Sequence, residues 1–120
     1  MYRFVDEVCM WNIERDNLKY DPAAEYAMLD EEVEEYLEAS ITGNKIGSAD
    51  ALADTAVVAI GGLCKLCGGD IQKVKEILMA VTSANNTKKS DKNSKGKIVK
   101  PKNFVGPEGM IEKILGKYND

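Results

Sequence analysis

Histidine is absent from this 120-residue chain. Its absence removes every Ser-His-Asp and Cys-His mechanism. It also removes nearly all zinc and iron sites, which depend on imidazole or on many cysteines. Cysteine is scarce too: three is an odd number, too few for a disulfide scaffold, and it fits a reducing cytoplasm. No uninterrupted apolar run reaches the length of about 18 residues that a membrane span needs, so no membrane partner is expected. Asp6 and Glu7 stand where a signal peptide requires its apolar stretch, so no export signal is expected either. Any catalysis has to run on carboxylates, lysines, amides or a hard cation held by oxygen.

The remaining composition is that of a soluble globular chain, with 44% apolar and 30% charged residues, and the length predicts a single domain over 1–120. Charge is segregated along it. Residues 1–87 carry 7 basic and 16 acidic side chains, whereas residues 88–102 carry seven lysines (Lys88, Lys89, Lys92, Lys95, Lys97, Lys100 and Lys102) against Asp91 alone. Such a basic segment is a solvated loop, a nucleic-acid tail, or a lid that meets a phosphate ligand over the acidic body.

The periodicity predicts an all-α fold: a bundle of four to five helices with a long lysine-rich loop before the last one. Phe4, Val8, Trp11 and Leu18 mark a first helix within 3–19. Asp21-Pro22 reads as an N-cap with proline at the first helical position, and that helix runs to about Ser40, ended by Thr42-Gly43-Asn44. Ser48 is expected to cap a third helix that ends at Gly68-Gly69, and Asp70 a fourth over about 70–82. Residues 84–106 lack a helical pattern, and Pro107 with Glu108 opens a short helix to about 116.

Two of these helices carry carboxylates that need an explanation. In the second, Leu29, Val33, Tyr36 and Leu37 form an apolar stripe, with Glu31, Glu34 and Glu38 opposite. Glu32 and Glu35 sit at its edge, three residues apart and therefore neighbours. Six acids in nine residues (30–38) repel one another unless something positive is present. The third helix is apolar nearly all round, the mark of a buried helix, yet it holds Asp50 and Asp54 with no basic residue between Lys45 and Lys65. Unpaired buried carboxylates cost several kcal/mol each, on the order of a broken buried ion pair. A cation held by Glu32, Glu35, Asp50 and Asp54 is the simplest remedy, and oxygen-only ligands suit Mg²⁺ or Mn²⁺. Asp50 alone is equally explained as a first-turn acid at a helix N-terminus.

Glu31-Glu32-Val33-Glu34-Glu35 resembles the Glu-Glu-x-x-Glu signature of the all-α nucleotide pyrophosphohydrolases, the MazG-like, dimeric dUTPase-like and phosphoribosyl-ATP pyrophosphohydrolase-like enzymes. In that superfamily this motif and a Glu-x-x-Asp on the next helix bind Mg²⁺. The resemblance matches Glu32, Glu35 and Asp54. It departs at Ala51, where the family has the second motif's Glu, and Asp50 is the expected substitute. Ser83-Ala84-Asn85-Asn86-Thr87-Lys88, followed by Gly96-Lys97, resembles the family's phosphate-binding segment. That likeness implies that Asn85 and Lys88 approach substrate phosphates, with Lys97 and Lys100 adding positive charge.

The expected activity is Mg²⁺-dependent hydrolysis of a nucleoside triphosphate to the monophosphate and pyrophosphate, with Glu31 or Glu35 handling the attacking water. Phosphoribosyl-ATP is the alternative substrate, and a catalytically silent helical module of the same fold is the alternative function. Trp11, Asn12 and Arg15 are candidates at the base end of the substrate: a ring to stack, an amide to read an edge, and a guanidinium that either reaches phosphate or pairs with an acid. Trp11 as core filling is the competing reading. Cys64-Lys65-Leu66-Cys67 lacks a second pair and reads as buried free thiols. A nucleotide is the expected partner and nucleic acid is not, because Phe104 is the one aromatic in or beside the basic segment. A partner subunit is expected, since the third helix is apolar on more faces than one layer of helices covers, and the resemblance implies a homodimer or homotetramer.

Overall fold

The computed structural model of the chain describes residues 2–116. It is all-helical, with α1 (Tyr2–Glu14), α2 (Pro22–Ile41), α3 (Lys45–Leu66), α4 (Ile71–Asn85) and α5 (Glu108–Gly116). Among the described residues there is no strand, only an isolated bridge between Lys92 and Ile98. The chain divides into two compact units, Met1–Ile71 and Gln72–Asp120.

Local chemistry sets the helix ends. Asp21 caps α2 through its carboxylate, which accepts the Ala23 N–H at 3.1 Å, with Pro22 following it. Helix α1 stops at Glu14, short of the expected 19. Asp16 adopts a left-handed conformation (φ 50°), its N–H reaches Ile13 O at 3.1 Å and that of Asn17 reaches Asn12 O at 2.9 Å. This is a Schellman closure without glycine, tolerated because a short polar side chain accepts that region. Gly43 (φ 67°) and Gly68 (φ 62°) close α2 and α3 with the same paired bonds. Helix α3 begins at Lys45 rather than after Ser48. Asn44 is its cap, accepting the Gly47 N–H at 2.9 Å, and the Ser48 hydroxyl donates back to Asn44 O from within the first turn. Helix α4 continues to Asn85, past the expected 82.

In the first unit α3 is central, with α1 and α2 each against it. Val5, Val8 and Cys9 of α1 and Ala51, Gly61 and Cys64 of α3 are buried, but the one buried residue of α2 is Glu25. The expected apolar stripe of α2 faces outward: Val33, Tyr36 and Leu37 are exposed, and so are Tyr26 (70%) and Ile41 (74%). The face turned to α3 is the row Glu25, Met28, Glu32 and Ala39, spaced three, four and seven residues apart. Nor is α3 the buried helix its composition implied, for Leu52 and Val57 are exposed and 11% of its most apolar 18-residue window is buried. By length and composition alone α3 is apolar enough to cross a membrane, although no uninterrupted apolar run announces it.

In the second unit Val74, Ile77 and Ala84 of α4 and Ile114 of α5 are buried, and the Lys73 ammonium donates to Leu115 O at 3.4 Å. The lysine-rich segment carries a tight hairpin. Val99 N–H meets Asp91 O at 2.9 Å, Asn93 N–H meets Lys97 O at 2.9 Å, and Gly96 turns the chain at φ 77°.

The cap assignment is testable. Asn44→Ala should destabilise the protein by about 1 kcal/mol in urea titration. Ser48→Ala should be neutral or slightly stabilising, because a serine bonded back within a helix adds little.

Candidate functional site

The seam between α2 and α3 is built from one row on each helix. On α3 the row is Gly47, Ala51, Asp54, Val58, Gly62 and Lys65, every third or fourth residue. Its small residues let the helices approach closely: a Cβ added at Gly47 would stand 3.2 Å from the Ala39 Cβ. This closeness brings ionisable groups of the two rows together at two places.

At the first, one carboxylate oxygen from each of Glu32, Glu35 and Asp54 lies within 4.8 Å of the other two. Glu32 Oε2 is buried and has no hydrogen-bond partner among the described residues. Withdrawal from water raises the Glu32 pKa above its ordinary value, and the charges of Glu35 and Asp54 push it the same way. Three convergent carboxylates with an orphaned buried oxygen fit a hard divalent cation completed by waters. Asp50 does not join them. It is exposed, one residue and about 100° away from the Ala51 position that faces α2. Ala51 itself is buried, so no ligand comes from the position three residues before Asp54. Glu31 is exposed beside the cluster.

At the second, Lys65 Nζ meets Glu25 Oε1 at 2.6 Å, with side chains 8% and 10% exposed. Glu25 and Lys65 line a cleft of about 500 Å³ that is otherwise mostly apolar, with Phe4, Val8 and Trp11 from α1, Met28 from α2, and Val57 and Val58 from α3. Met28 lies one turn from Glu32, and Val58 one turn from Asp54. The cleft therefore opens about 6 Å along the helices from the carboxylates.

Of the α1 candidates, Trp11 is 53% exposed and lines this cleft, so it is not core filling. Arg15 stacks on it, its guanidinium carbon 4.5 Å from the ring centroid and its Nη1 donating to Trp11 O. Asn12 is buried on the cleft wall. Its Nδ2 donates to Val8 O at 2.9 Å and its Oδ1 accepts Asn17 Nδ2 at 2.7 Å.

The chain matches no protein-family model, no curated protein and no solved structure.

The phosphate candidates belong to the second unit. Asn85 is exposed at the end of α4, and Lys97 is exposed on the hairpin. The ammonium groups of Lys88 and Lys100 lie 5.2 and 5.5 Å from the centroid of the Phe104 ring. The cysteines are free and buried as expected, and burial together with a hydrogen bond to Cys64 pushes the Cys9 thiol up to about 12. Such a thiol stays protonated and inert.

Sequence reasoning missed Glu25, Lys65, Asn17 and Phe4. The signal for the first two was present: Glu25 continues the 28, 32, 35 row of α2 toward its N-terminus, and Lys65 continues the 54, 58, 62 row of α3.

Glu32 is raised above its ordinary value of 4.5, so the folded protein takes up a proton there before the unfolded chain does. The stability from this group is complete below that ordinary value and is lost as pH rises through the folded value. In EDTA at pH 7, Glu32→Gln should therefore raise Tm, and the gain should vanish as the pH is lowered toward 4.5. Lower stability of this variant at pH 7 would show that carboxylate repulsion does not govern the stability of this cluster.

Proposed function

We propose that this protein hydrolyses a nucleoside triphosphate to the monophosphate and pyrophosphate, with Mg²⁺ or Mn²⁺ held by Glu32, Glu35 and Asp54. The observation that carries the reading is the orphaned buried Glu32 Oε2 within a three-carboxylate cluster. It gains weight from the aromatic cleft one helical turn away, which suits the base end of a nucleotide. When bound, the cation offsets negative charge on phosphate oxygens and on the leaving pyrophosphate.

The residues divide the remaining work. Glu35 is the exposed member of the cluster and takes a proton from the attacking water, with exposed Glu31 as its neighbour on the solvent side. The water oxygen bonds to the α-phosphorus, and the bridging oxygen leaves with pyrophosphate. Trp11 stacks the base, and Asn12 fixes the cleft wall through its bonds to Val8 and Asn17. Arg15 holds the indole. Asn85, Lys88, Lys97 and Lys100 keep the phosphate-neutralising role that the sequence resemblance gives them.

The silent-module alternative draws on one observation, the buried Ala51 where a fourth ligand is expected. One experiment separates the two. Pyrophosphate release from ribo- and deoxyribonucleoside triphosphates and phosphoribosyl-ATP should require Mg²⁺ or Mn²⁺. Glu35→Gln should lower kcat by about 10²- to 10⁴-fold. Full activity in that variant at saturating metal would overturn the assignment. No release from any substrate by folded, metal-supplied protein would favour the silent module.

The outward stripe of α2, with Val33, Tyr36, Leu37 and Ile41 exposed along it, is an apolar face of the kind that marks an interaction surface. We propose that a second copy of the chain covers it. Asp54 in the middle of α3 argues against a bilayer as the cover. Analytical ultracentrifugation should give a multiple of 13.2 kDa, and Val33→Glu with Leu37→Glu should return the monomer. A monomer for the unaltered chain at micromolar concentration would refute this.

A further inference from the structure

The cleft beside the carboxylates holds a pair of charges for which hydrolysis has no use. Glu25 and Lys65 come from opposite sides of the seam and are about nine-tenths buried. An ion pair in such a place gives no advantage over apolar side chains of equal volume, and frequently a penalty. Met28, Val57 and Val58 on the same wall show that apolar residues fit here. The pair therefore calls for a reason other than packing.

Hydrogen-bonding capacity supplies one. Lys65 occupies Glu25 Oε1 at 2.6 Å. The other oxygen, Oε2, lies against Gly62, where an added Cβ would stand 3.3 Å from it. Asn12 and Asn17 are largely committed to each other and to Val8 O. Glu7 of α1 also lines the cleft, but its side chain is 64% exposed and its Oε1 accepts from Arg3 Nε at 3.0 Å. The buried free capacity is thus one anionic acceptor, Glu25 Oε2, next to one cationic donor, the remaining N–H groups of Lys65. Above them stand the rings of Phe4 and Trp11.

We propose that the cleft selects an amino-bearing heteroaromatic base. The ring lies against Trp11, its exocyclic amine donates to Glu25 Oε2, and the adjacent ring nitrogen accepts from Lys65. Cytosine and adenine both present an amine beside an acceptor nitrogen. Uracil and thymine place a carbonyl oxygen where the amine would be, against the carboxylate. The inference rests on the reading of the cleft as the base end of a nucleotide site, and it makes Glu25 and Lys65 the residues that set base preference.

The test uses free nucleosides in EDTA, so it requires neither metal nor turnover. Trp11 is the single tryptophan of the chain and reports binding by fluorescence. Cytidine should bind at least about tenfold more tightly than uridine, since a site built around a hydrogen-bonding group rejects the analogue lacking it. Glu25→Gln alone leaves Lys65 buried without its counter-charge and risks unfolding. The double variant Glu25→Gln/Lys65→Met removes both charges together and should bring the cytidine-to-uridine ratio to about one while the fold, checked by circular dichroism, persists. Equal binding of the two nucleosides by the unaltered protein, binding of neither, or a preference that survives the double variant would each overturn the inference. A cytidine preference without pyrophosphate release under any metal condition would uphold it and sink the hydrolytic reading instead.

Discussion

Carboxylates enclosed between two helices must be neutralised, paired or protonated, and the first unit shows two of these solutions within one seam. Small residues on α3 bring it so close to α2 that Glu25, Glu32 and Asp54 lose much of their water. At one end Lys65 answers Glu25 directly. One to two turns away no basic side chain among the described residues answers Glu32, whose pKa rises instead. The contrast sets the two ends of the seam apart: one carboxylate is paired across it, and the other keeps a buried oxygen without a partner.

The same arrangement explains why the apolar residues of α2 face outward. A helix has one side for each neighbour, and on α2 the α3-facing side is taken by Glu25, Met28, Glu32 and Ala39. Val33, Tyr36, Leu37 and Ile41 are left on the other side. The charged seam and the bare apolar face are thus two consequences of one choice of helix orientation. Together they leave an acidic seam on one side of α2 and a bare apolar stripe on the other.

Much of the fold was legible because its boundaries are local. Asp21-Pro22, Gly43 and Gly68-Gly69 are caps and turns whose backbone preferences act within four residues, and the helices they bound are found there. Two boundaries failed for equally local reasons: Asp16 closes α1 in a conformation ordinarily left to glycine, and Asn44 captures the α3 cap before Ser48. Within the site, Glu32 and Glu35 were readable from their spacing, and Asp54 from the cost of an acid in an apolar helix. Asp50 satisfied the same spacing argument, yet its position one residue off Ala51 carries it away from the seam.

By itself, the sequence determined that this protein is all-helical, that its carboxylates gather on two adjacent helices, and that these 120 residues offer no imidazole. Those properties depend on composition, capping and a period of 3.6 residues, which act along the chain. Only the tertiary structure decided which face of α2 meets α3, and with it the pairing of Glu25 with Lys65 across 40 positions, the exclusion of Asp50 and the outward apolar stripe. The amphipathic pattern of α2 offers both an apolar and an acidic face. The small residues of α3 favour whichever face allows the closest approach, and that selection is made in space.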